Sequence, residues 1–117
     1  DHIVKPDLVA PGNLVTSAST KGTSLLEQTY PEIQLGTNYT ILSGTSMAAA
    51  VASGVVGLVI ETNPSLTPNA LKAVLEFTAI PVKDDARKLY DAFTQGTGGI
   101  NTQLPLPSPE NRFFSSR

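Results

Sequence analysis

The stretch "LSGTSMAAAVASGVVGLVI", residues 42–60, constrains this chain more than any other part of it. It carries no charge before Glu61 and is apolar on every side at helical spacing. Such a pattern predicts a buried helix from Thr45 or Ser46 to about Glu61. Its small residues, among them Ala48, Ala52, Gly54 and Gly57, would let neighbouring backbone approach closely. Each glycine costs the helix roughly 1 kcal/mol against alanine, which implies a packing reason for its presence. Serine at the start of a helix is ordinarily a cap. It can also be a nucleophile, because the first N–H groups of a helix lack intrahelical partners and the helix dipole adds positive charge beside them.

The rest of the chain punctuates this helix clearly. Short β-prone runs at 8–10 and 14–16 flank the turn signal Pro11-Gly12. Residues 19–38 show no sustained period and read as surface loop, with a short strand near 32–35. "NYTILSG" reads as a strand entering a turn at Gly44. Asn63-Pro64 ends the long helix. Thr67 then caps a second one with Pro68 in its first position and Leu71, Val74, Leu75 and Thr78 on one face. Residues 83–88 are charged and exposed, and "GTGGIN" at 96–101 is a tight turn. The segment 102–117, rich in Pro and Ser, reads as a tail or linker. No internal repeat is evident.

Composition excludes several classes. The 117 residues, with a net charge of -2 and no basic run, give no nucleic-acid footprint. Serine and threonine interrupt the apolar stretch, which argues against a membrane span. With no cysteine there is no disulfide, thiolate metal site or cysteine nucleophile. Asp1 begins the sequence without methionine, which points to a fragment, a processed product or an expressed segment.

The words around the serine resemble a known family. "GTSMAA" at 44–49 is similar to the serine signature of subtilisin-like serine proteases, the subtilases. "KPDLVAPG" at 5–12 resembles the family's segment before that serine, "NPSLTPNALKAVLEFTA" at 63–79 the helices after it, and "QGTGGIN" at 95–101 a glycine-rich turn near the end of the catalytic domain. The ordered blocks run over about residues 5–101. They imply an α/β fold, a three-layer αβα sandwich with a mostly parallel sheet, of which residues 1–101 form the C-terminal part.

By that resemblance Ser46 is the nucleophile that forms an acyl-enzyme, and its N–H is an oxyanion donor. Thr45 and Gly44 support the oxyanion and the turn. Met47, Leu42 and Ser43 line the site, with Leu42 and Ser43 bordering the leaving-group side and Met47 an oxidation liability. Protein or peptide is the implied substrate, secretion the implied localisation, and calcium is implied by family likeness only. Ala50 stands where the family usually has proline, "VASG" at 51–54 replaces "HVAG", and the usual closing helix has no counterpart after Asn101.

The larger departure is absence. Neither the family's Asp block nor its His block is present, nor the asparagine that gives the second oxyanion donor; Asn13 and Asn38 lie in other contexts. The chain's single histidine, His2, reads as a surface residue beside Asp1. An upstream part of the same catalytic domain is therefore the expected partner, and the chain alone is expected to be inactive. The alternative is a non-catalytic binding or structural module that keeps the family's fold. Asp84-Asp85 reads as solvated charge rather than a calcium loop.

Overall fold

The computed structural model describes residues 4–103. His2 and the 104–117 portion of the expected tail lie outside the described residues. The chain divides into two compact units: Pro11–Val51 forms one, and the flanking chain on both sides forms the other.

The Pro11–Val51 unit contains β1 (Val15–Ala18), α1 (Leu25–Thr29), a 3-10 turn (Pro31–Ile33), β2 (Gln34–Leu35), β3 (Tyr39–Leu42) and the start of α2 (Thr45–Thr62). Its strands make a three-stranded antiparallel sheet in the order β1-β3-β2. Val15 faces Leu42 and Ala18 faces Tyr39 across β1 and β3. Residues 36–38 link β2 to β3, and only an antiparallel pair closes through so short a link, since parallel neighbours need a crossover.

The run at 14–16 overlaps β1 and "NYTILSG" contains β3, while the strand expected near 32–35 is cut to Gln34–Leu35 by the 3-10 turn before it, and the run at 8–10 keeps an isolated bridge at Val9. The helix α1 within the predicted loop is new. Ser24 caps it, its hydroxyl accepting from Glu27 N at 3.2 Å.

The other unit is built on the second half of α2, α3 (Pro68–Phe77) and α4 (Ala92–Gln95). Thr67 caps α3 as its sequence predicts, its hydroxyl accepting from Ala70 N at 3.3 Å with Pro68 following. The core is small: Val55, Val59 and Leu75 are buried together, with Leu8, Leu66, Leu71 and Ile100 packed against them.

The glycine-rich turn threads backbone into this unit. Val9 N donates to Gly98 O at 2.9 Å and Ile100 N to Val9 O at 2.7 Å, while Gly99 and Ile80 exchange bonds of 2.8 and 2.9 Å. Buried Gln95 closes the loop before α4, accepting from Val82 N and donating to Tyr90 O. Asp7 pairs with Lys5 and Lys72, and both cations, Lys5 first, hold its carboxyl below the usual range.

Two expectations change here. The mostly parallel sheet is not found among the described residues, where parallel pairing is confined to the bridge between Val9 and Gly99. The described chain offers helices and short strands but few strand–helix–strand crossovers to make more.

The second change concerns α2, which is not buried all round. Val59 is only 1% exposed, yet Leu58 is 58% exposed. A Cβ placed on Gly54 or Gly57 would meet nothing within 4 Å. The helical period sets Val55 and Val59 on one face, and only that face finds a strong apolar partner among the described residues. The helix is also long and apolar enough, by length and composition, to cross a bilayer, a test that core helices equally meet. Of its residues, Val55 and Val59 are buried inside protein.

Val59→Ala removes buried atoms from the centre of this small core. It is expected to lower stability by about 2 kcal/mol, read as a fall in the urea-unfolding midpoint with little change in slope.

Candidate active site

The turn before α2 decides what Ser46 does. Gly44 has φ 154°, a conformation that side chains disfavour. Its carbonyl accepts from Met47 N at 3.1 Å and Ala48 N at 3.2 Å. Gly44 therefore occupies the cap position, and Ser46 is the second residue inside the helix. The ordinary reading of Ser46 as a cap is not what the structure adopts. Thr45 and Ser46 are exposed, and among the described residues the Ser46 hydroxyl and N–H have no hydrogen-bond partner. Both belong to the first turn of a long helix, at its positive end, where a developing negative charge is stabilised.

The turn is held from behind by residues 12–14. Gly44 N donates to Gly12 O at 2.8 Å. A Cβ on Gly12 would stand 2.7 Å from the Gly44 carbonyl oxygen and 2.9 Å from the Ala48 Cβ, so only glycine lets the segments meet. Ser43, exposed and one residue past β3, accepts from Leu14 N at 2.8 Å and donates to Asn13 Oδ1 at 2.9 Å. Sequence reasoning gave Asn13 and Gly12 no role at the site. Their partners are about thirty residues away in sequence, and no local pattern announces such pairing.

Beside Ser46 lies a largely apolar cavity of about 490 Å³ within the Pro11–Val51 unit. Met47 and Leu42, both half-buried, line it together with Val15, Leu26 and Val51. Six predicted site residues, Leu42 to Met47, thus form one continuous stretch. Of these, Leu42, Ser46 and Met47 face the cavity.

Glu27 also borders it and is 3% exposed. Its carboxylate accepts from Thr20 Oγ1 at 2.6 Å, Gly22 N at 2.8 Å and Thr20 N at 3.1 Å. These donors hold its pKa down to about 2, the Thr20 hydroxyl most strongly, then the Ser19 hydroxyl and the two N–H groups, against burial that pushes it up. So engaged, Glu27 is a clamp on the loop at 20–22 and not a free base. The pattern Ser24-x-x-Glu27 was the signal for this corner, since it is a capping-box sequence.

No general base stands beside Ser46 among the described residues, and the chain's only histidine is His2. Among the described residues no group of three or more acidic or histidine side chains converges. Asp84 Oδ1 accepts from Lys88 N at 2.8 Å inside a tight turn.

The sequence profile of the subtilase family matches residues 1–103. The serine protease AprX of Bacillus subtilis (strain 168) is 32% identical over 104 residues, covering 88% of this chain and 22% of that protein. A subtilisin-like protease of Glycine max is 33% identical over 112 residues, covering 89% and 14%. The subtilisin-like protease SBT3.17 of Arabidopsis thaliana is 36% identical over 110 residues, covering 86% and 12%. The chain thus spans between 12% and 22% of the length of these relatives.

The Glu27 clamp predicts an acid limb in stability. Its folded pKa is about 2 against an ordinary 4.5, so its contribution is full above 4.5 and is lost as pH falls toward 2. Urea midpoints measured between those limits should fall with pH in the parent protein. In Glu27→Gln they should start lower at neutral pH and vary less over the same window.

Proposed function

The chain belongs to the subtilase family, and on that footing we propose that it supplies the nucleophile side of a serine endopeptidase site. The Ser46 hydroxyl attacks the carbonyl of a peptide bond. The Ser46 N–H, at the start of α2, donates to the oxyanion that forms, with Thr45 and the Gly44 turn supporting it. The base of the longer protein takes the Ser46 hydroxyl proton and passes it to the leaving nitrogen, so that collapse of the tetrahedral species breaks the C–N bond, releases a neutral amine and leaves an acyl group on Ser46. Water then releases the acid. Leu42 and Ser43 border the leaving-group side, and Met47 lines the site.

The catalytic Asp and His, and a second oxyanion donor, come from a part of the longer protein that this sequence does not include. In that protein residues 1–101 close the catalytic domain, a three-layer αβα sandwich whose mostly parallel sheet is completed by the remaining chain, and 102–117 form a tail. Secretion, and protein or peptide substrates, belong to the same proposal. The α/β class itself follows from family membership.

The observation that carries this reading is the state of Ser46. Helix α2 is capped by Gly44, so Ser46 keeps both its hydroxyl and its N–H for another group. The exposed small-residue face of α2 supports the need for more protein around it.

Peptide hydrolysis by the longer protein that contains this segment tests the proposal. Ser46→Ala should remove activity almost entirely; in subtilisin, loss of the nucleophile costs on the order of 10⁶-fold in kcat. The isolated 117-residue chain should show none. Full activity in Ser46→Ala, or turnover by the isolated chain, would contradict it.

A further inference from the structure

We propose that Asn13 is a positioning residue for the nucleophile, acting through Ser43 on the turn that launches α2; this rests on the endopeptidase reading of Ser46. The geometry is a latch between two tight turns. Asn13 Oδ1 accepts from the Ser43 hydroxyl at 2.9 Å, and the same Ser43 oxygen accepts from Leu14 N at 2.8 Å. One residue further on, Gly44 N donates to Gly12 O at 2.8 Å. Three consecutive residues of one segment therefore grip two consecutive residues of the other.

Leu14 shows what the latch withstands. It has φ 51°, a left-handed conformation that leucine rarely takes. Such a conformation persists only where its surroundings over-determine it. Here the Leu14 N–H is fixed by Ser43, and the next residue, Val15, is paired with Leu42 across β1 and β3.

The strained residue is thus pinned on both sides by the residues that immediately precede the Gly44 cap. Rotation of the Ser43 side chain would free Leu14 and loosen the direction in which the chain enters Gly44, Thr45 and Ser46. Asn13 opposes that rotation by accepting the hydrogen bond of the Ser43 hydroxyl. Its own side chain reaches neither Ser46 nor the cavity lining, so its effect on chemistry is transmitted through Ser43.

The test is kinetic and uses the longer active protein. Asn13→Ala should lower kcat and the rate of Ser46 labelling by a serine-directed phosphonate roughly threefold to tenfold, the scale of one hydrogen bond, with KM nearly unchanged. Asn13→Asp keeps an acceptor oxygen at the same reach and should restore most of the rate. Ser43→Ala should show at least the same loss, and adding Asn13→Ala to it should cost nothing more, since the two act as one unit.

A parent rate in Asn13→Ala, an equal loss in kcat and gain in KM, or full additivity with Ser43→Ala overturns the latch alone. Failure of the unmutated longer protein to react at Ser46 overturns the endopeptidase reading and the latch with it.

Discussion

The peptide groups of Gly44 hold the site together in two directions. The Gly44 N–H reaches back to Gly12 O, and its carbonyl reaches forward to the N–H groups of Met47 and Ala48. The first bond fixes where the helix starts; the second fixes its axis. Because Gly44 carries the cap bonds, the residue two places on does not have to. A serine in that position keeps both its hydroxyl and its N–H unengaged, among the described residues, at the same helical end. Capping and nucleophilic readings of this helix start are compatible at the level of sequence, and the turn divides the two roles, giving the cap bonds to Gly44 and leaving Ser46 without them.

Much of this was legible in the residues themselves. Helix α2 was visible from its apolar pattern, and its observed start at Thr45 falls at the predicted place. Thr67-Pro68 marked the start of α3 because capping and proline placement are local chemistry. The strand before Gly44 was equally plain. What stayed hidden depends on distant partners. The pairing of Asn13 and Ser43, and the approach of Gly12 to Gly44 and Ala48, join segments that no local periodicity relates. The helix α1 was hidden for another reason: it has five residues, too few to show a period, and only its Ser-x-x-Glu pattern marks it.

The differences from expectation have a common physical origin. An all-apolar helix was expected to be buried, yet only its Val55 and Val59 face is covered. A mostly parallel sheet was expected, and the described strands pair antiparallel. Parallel sheets are formed by crossover connections, and apolar helices are buried by the layers those crossovers lay down. Among the described residues the sheet has no such crossover, and no layer covers the exposed face of α2. The chain spans only 12% to 22% of the length of the relatives described above. A local unit such as the Gly44 turn can form from its own residues; a layered sandwich cannot.

The central claim is that Ser46 is the residue acylated in turnover, with its base supplied by the rest of the longer protein. The most direct measurement is peptide mapping after brief reaction of that protein with a serine-directed phosphonate. The account predicts a single stoichiometric adduct on the peptide containing Gly44 to Met47, at Ser46, and no adduct when the same reagent meets the isolated chain. A stoichiometric adduct at another serine, with Ser46 unmodified, would contradict it.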